Sequence, residues 1–175
     1  MNITLRQETE KDYPEVFQVV KKAFETLDIS DHTEQFLVER LRKTNAFIPE
    51  LSIVAEYDNQ IVGHIMLTKI KIENDNDSFE SLTLAPVSVK PEFQRQGIGG
   101  KLITESHRIA KELGYKSIVV VGHETYYPKF GYRPASTYNI TCSFDVPDEN
   151  LMIIELVENG LKDVSGTIIY PKEFF

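Results

Sequence analysis

Arg95, Gly97, Gly99, Gly100 and Lys101 crowd one short run, "QRQGIGGK", where an apolar, strand-like stretch gives way to a segment of helical spacing. A helix start presents several N–H groups without intrahelical partners, all pointing one way, and the helix dipole adds partial positive charge. That arrangement suits a phosphate or diphosphate. Glycine lets the anion approach the backbone, and Arg95 and Lys101 can add charge-assisted contacts. Two better-known anion loops do not fit. A Walker loop needs glycine where Arg95 stands and Ser or Thr where Leu102 stands. A dinucleotide fingerprint fits Gly97 and Gly99, then meets Leu102 instead of its third glycine. The glycines alone are equally compatible with a turn that packs a helix on a sheet.

The elements that must position this loop are readable by periodicity. "ITLRQ" alternates as a first strand. "EKDYPEVFQVVKKAF" follows as a helix with Val16, Val19, Val20 and Phe24 on one face and Pro14 early, where proline is tolerated. "HTEQFLVERLRKT" is a second helix carrying Phe36, Leu37 and Leu41. "LSIVAEYDNQIVGHIMLTKIKI" is a hairpin turning at Asp58-Asn59, and the polar "ENDNDSFE" is a loop. "SLTLAPVSV" is the next strand, with Pro86 in its middle, where proline removes a ladder hydrogen bond. Leu102, Ile103, Ile109, Ala110 and Leu113 mark a third helix ended by Gly114. "KSIVVVG" is a wholly apolar strand for the centre of a sheet, "ETYYPKFGY" a short helix or turn, and the remainder mixes β-prone runs. The order defines a mixed α/β domain with one sheet covered by helices.

Composition narrows the classes. A chain of 175 residues with 41% hydrophobic and 26% charged residues is expected to be one soluble domain, 1–175. Its net charge of −8 and lack of a basic run argue against a nucleic-acid partner. Cys142 is the only cysteine, so no intrachain disulfide and no cysteine metal cluster can form. "MNITLRQETEKDY" has no apolar signal core, and no run of about 18 apolar residues exists. The expected location is cytoplasmic, with no membrane partner.

"VSVKPEFQRQGIGG" resembles the acyl-CoA-binding motif of the GNAT acetyltransferase superfamily. That motif is Gln or Arg, two residues, Gly, one residue, then Gly or Ala, a few residues after a strand ending Val-x-Pro. Gln94, Gly97 and Gly99 match it, preceded by Val89 and Pro91. "GHETYYPKFGY" and the closing "GTIIYPKEFF" resemble the bacterial YhbS-like subgroup, with Tyr127 four residues before the Gly131-Tyr132 pair. The resemblance implies the GNAT fold, a mixed central sheet with a splayed, bulged fourth strand flanked by helices. It implies acetyl-CoA as co-substrate and no metal. Backbone groups of Val87 and Val89 would take the pantetheine arm, and a backbone N–H of Ser88 or Val87 the oxyanion. The loop of Gln94, Arg95, Gln96, Gly97, Ile98, Gly99, Gly100 and Lys101 would take the diphosphate. Pro86 then falls beside a bulge, where the missing donor is not needed.

When an amine attacks a thioester, the departing thiolate needs a proton or a strong hydrogen bond. A phenol is able to supply one, and Tyr127 is the candidate, also lining the cofactor site. Tyr126 is read as packing or substrate wall. The amine must lose a proton, and His64, Glu80, His123 and Glu124 are read near strand ends. His123, directly after the central strand, is the first choice of base. His107 is expected to face solvent, His32 to neighbour a helix cap, and Cys142 to pack. The expected reaction is direct transfer of acetyl from acetyl-CoA to a primary amine, in a small molecule or a peptide, within a ternary complex. The alternative is a non-catalytic acyl-CoA-binding or sensing module, which would have no use for the phenol. Acidic residues Asp28, Asp31 and Glu34 suit an amine or are simply solvated. A C-terminal strand could pair across a homodimer.

Overall fold

The computed structural model describes residues 1–175. After β1 (Thr4–Gln7), Pro14 enters the first turn of α1 (Tyr13–Phe24), where its missing N–H costs no helical bond. Val16, Val19, Val20 and Ala23 form the buried stripe. α2 (Glu34–Arg42) buries Gln35, Val38 and Leu41. Phe36 lies 46% exposed and meets Phe17 edge-on, with 5.4 Å between ring centroids. β2 (Phe47–Tyr57) and β3 (Gln60–Glu73) form the hairpin, and Asp58 and Asn59 both take positive φ, 50° and 59°. Two such residues give the turn whose twist matches the flanking strands.

β4 (Ser78–Val89) starts inside the stretch read as a loop, and the true turn is short, with the Asn74 N–H donating to the Asp77 carbonyl at 3.0 Å. α3 (Ile98–Glu112) and β5 (Ser117–Val121) follow, then a 3-10 turn at Tyr127–Phe130. The β-prone remainder resolves into β6 (Arg133–Pro134), β7 (Ile140–Cys142), β8 (Leu151–Glu155) and β9 (Gly166–Ile169).

The chain forms two compact units, Met1–Leu67 with Ala85–Ile109, and Thr68–Leu84 with Ala110–Phe175. In the first, strand order is β1-β2-β3-β4, with β1 antiparallel to β2 from Thr4↔Glu56 to Gln7↔Ile53. In the second, β5 lies between β4 and β8. It runs parallel to β4 at Leu82↔Ile118 and Thr83↔Val119, and antiparallel to β8 from Ser117↔Glu155 to Val121↔Leu151. β9 pairs antiparallel with the end of β3 and parallel with β7. Its core joins Ile72, Val119, Ile140, Ile153 and Ile168. Ile118, Val119 and Val120 in the run "SIVVV" are buried, while Val121 at its end is 45% exposed. The sheet is mixed and the class α/β.

The first unit also buries a polar cluster. His64, read as lying near a strand end, sits within β3 and is 0% exposed. Ser52 Oγ donates to Glu8 Oε2 at 2.6 Å, so the 3.0 Å contact between Ser52 Oγ and His64 Nε2 requires that nitrogen to carry the proton. Nδ1 is left buried without a hydrogen-bond partner. Burial, aided by the charge of Arg42, pushes the imidazole down to about 3. His64 is therefore neutral in the folded protein, closed off from solvent and only weakly basic.

An imidazole depressed on folding takes up its proton first in the unfolded chain. Stability is thus full above pH ~6.5 and falls as pH drops towards about 3. Denaturant titrations at pH 7 and pH 5 are expected to show a loss approaching ~1.4 kcal/mol per pH unit from this group. A His64→Gln variant should flatten that slope.

Candidate active site

Within the second unit β4 pairs with β5 at Leu82 and Thr83, and from Ala85 the strand continues into the first unit. Pro86, after a cis Ala85–Pro86 bond, has no N–H to offer. Val87 and Val89 are half-buried and alternate with Ser88, which is 1% exposed. The two valines therefore share one face of the strand, and Ser88 points to the other, its Oγ without a partner. The strand end is tied down by the Lys90 N–H, which donates to the Val62 carbonyl at 2.9 Å.

A 3-10 turn at Pro91–Phe93 carries the chain into the glycine loop. Gln94 Nε2 donates to the Val89 carbonyl at 3.0 Å, bracing the loop against the strand that precedes it. Arg95 and Gly97 both take positive φ, 62° and 82°. A Cβ at Gly97 would meet nothing within 4 Å, so the position demands backbone freedom, with open space beside it. The helical ladder of α3 begins with the Lys101 N–H donating to the Gly97 carbonyl at 3.1 Å. The N–H groups of Ile98, Gly99 and Gly100 precede it and have no intrahelical acceptor. Ile98 is buried and anchors the helix start, while Arg95, Gln96 and Lys101 are exposed around it. This end of α3 has the donors and charge to hold an anion.

The second unit holds the aromatic motif. The His123 carbonyl accepts the N–H groups of Tyr126 at 3.1 Å and Tyr127 at 3.4 Å, closing the turn that raises the tyrosine pair. Tyr127 is 9% exposed, edge-on to Tyr126 and Tyr132 with centroids 5.1 and 5.7 Å away. Burial pushes its phenol above the ordinary tyrosine range, and the neighbouring Tyr126 adds to the shift. Gly122 touches the Tyr127 ring, for a Cβ there would lie 2.3 Å from Cε2. Gly131 closes the turn at φ 102°.

His123 and Glu124 are exposed, and Glu124 Oε2 accepts Asn150 Nδ2 at 3.0 Å. Glu80 lies among the opening residues of β4, away from its Val87–Val89 end. His107, expected in solvent, is half-buried in α3, and burial lowers it to about 4. His32 is exposed, its Nδ1 3.0 Å from the Phe24 carbonyl. Asp31 caps the turn before α2, accepting from the Thr33 N–H at 3.0 Å and hydroxyl at 2.6 Å. Cys142 donates its S–H to the Phe144 carbonyl at 3.3 Å. Gly122 and Asn150 escape sequence reasoning as site residues. The glycine's place directly before the tyrosine motif was the available signal, and Asn150 carries none.

Residues 4–135 match the model of the acetyltransferase (GNAT) domain, and the chain belongs to that family. It is 35% identical over 118 residues to the uncharacterized N-acetyltransferase YjhQ of Escherichia coli K12, a match covering 67% of this chain and 65% of YjhQ. The chain thus spans just under two thirds of that relative's length. It resembles the crystal structure of YhbS from Escherichia coli, solved in complex with CoA, with a TM-score of 0.89 at 23% identity over 99% of this chain and 92% of that one. That likeness shows the fold. A GNAT family acetyltransferase from Brucella melitensis, in complex with acetyl-CoA, matches with a TM-score of 0.80 at 30% identity over 99% of each chain. No helix of this chain is long and apolar enough to cross a membrane.

Proposed function

We propose that residues 1–175 act as one N-acetyltransferase domain that moves the acetyl group of acetyl-CoA to a primary amine by direct attack. The observation that carries this reading is the start of α3. N–H groups without helical acceptors stand behind a positive-φ glycine, in a loop that Gln94 braces against the end of β4. The loop from Gln94 to Lys101 holds the diphosphate, and backbone groups of Val87 and Val89 hold the pantetheine amides as an added strand would. The N–H of Ser88 or Val87 steadies the oxyanion.

In the chemical step the amine nitrogen bonds to the acetyl carbon and the carbon–sulfur bond breaks. Tyr127 gives its hydroxyl proton, or a strong hydrogen bond, to the departing sulfur, and His123 receives the amine proton, directly or through water. The acceptor is an amine in a small molecule or a peptide, and the net charge of −8 favours a cationic one by steering.

Calorimetric titration of coenzyme A into the purified chain tests the binding half, and thiol release from acetyl-CoA across an amine panel tests the transfer half. Heat of binding is expected, and Gly97→Ala should weaken it about tenfold. A Cβ at positive φ costs ~1–2 kcal/mol and turns the loop out of its anion-facing form. Absence of binding heat would overturn the assignment.

A further inference from the structure

Asn150 closes a short 3-10 turn at Asp148–Asn150 and leads into β8. The β5–β8 ladder ends at Val121↔Leu151. One residue further on, Asn150 meets Gly122 with both its main chain and its side chain. Its carbonyl accepts the Gly122 N–H at 3.0 Å, and its Nδ2 donates to the Gly122 carbonyl at 2.9 Å. The same Nδ2 donates to Glu124 Oε2 at 3.0 Å. One residue therefore satisfies both backbone groups of Gly122 and restrains the loop two residues on. Gly122 in turn touches the Tyr127 ring so closely that any side chain there would strike it. The backbone at Gly122 is the wall against which the phenol rests, and Asn150 fixes that wall.

We propose that Asn150 is a positioning residue for Tyr127, setting the place of its hydroxyl through Gly122. The proposal rests on the reading of Tyr127 as the group that assists the leaving sulfur. A carboxamide is required because one NH2 must donate to both a carbonyl and a carboxylate. Aspartate would keep the shape and the main-chain bond but set oxygen against those two acceptors.

The test is a double-mutant cycle on the full chain. Asn150→Ala and Asn150→Asp are each expected to lower kcat about 10- to 100-fold, since a displacement near 1 Å costs that much, with KM for acetyl-CoA unchanged. In a Tyr127→Phe background the same changes should have almost no further effect on kcat. Equal losses in both backgrounds, or no loss with Asn150→Asp, would overturn the proposal. A readout free of catalysis accompanies it: the Tyr127 ring signals in a tyrosine-labelled NMR spectrum, identified by their disappearance in Tyr127→Phe, should shift in Asn150→Asp. If Tyr127→Phe leaves kcat intact, the leaving-group reading of Tyr127 fails by itself, and unshifted ring signals would sink the Asn150 link separately.

Discussion

Tyr127→Phe is expected to lower kcat about 100-fold, while coenzyme A binds with unchanged affinity. The substitution removes one oxygen from a ring whose packing against Tyr126, Tyr132 and Gly122 does not depend on it. Stability should therefore change little, and the loss should fall on the chemical step. Positioned proton donors contribute ~10²–10⁴ in rate, and a thiolate, already a fair leaving group, calls for the lower end. Burial holds the phenol above its ordinary range, so it stays protonated through neutral and mildly alkaline pH. The wild-type rate should accordingly show no alkaline limb from Tyr127 below pH ~10. Steady-state kinetics beside calorimetry decide the matter. Equal kcat in the two proteins would leave the ring as packing, and weakened coenzyme A binding with unchanged kcat would make it a cofactor wall.

The loop and the tyrosine turn were legible in the chain because each carries its reason locally. Gly97 answers to a backbone angle and the residues that follow to a helix start, so a window of some twenty residues contains the whole logic. Periodicity placed the helices and long strands for the same reason. The buried stripe of α2 was harder to read, because it contains the polar Gln35 beside Val38 and Leu41, and a polar residue hides such a stripe from a hydrophobicity pattern. His64 misled more deeply. Its surroundings, "IVGHIML", suit a strand, but its burial depends on Ser52 and Glu8, and Ser52 is 44 residues from Glu8 in sequence. Asn150 belongs to the same kind, 28 residues from the glycine it holds. Contacts set by topology leave no spacing to read.

Those distant contacts carry the largest expected effect on stability. Glu8 has a side chain 1% exposed and Arg42 one 7% exposed. Glu8 accepts from Arg42 Nε at 3.3 Å and from its Nη2, as well as from Ser52. The guanidinium also lies over the Tyr13 ring, 3.8 Å from its centroid. This pair ties α2 to the end of β1, and little water reaches it. Glu8→Ala is expected to lower the unfolding free energy by ~3–5 kcal/mol, because it strands a buried guanidinium. A domain of this kind holds only ~5–15 kcal/mol in all, so the change removes a large share. The contrast lies nearby in Arg6, which bridges Asp12 and Glu56 but is itself 36% exposed, so its loss should cost less than that of Glu8. Chemical denaturation of the two variants decides between burial and charge count as the source of stability. Equal midpoints would mean that water reaches Arg42 as freely as Arg6. Adding Arg42→Met to Glu8→Ala removes the stranded charge and should restore part of the loss, which a simple cavity at position 8 would not allow.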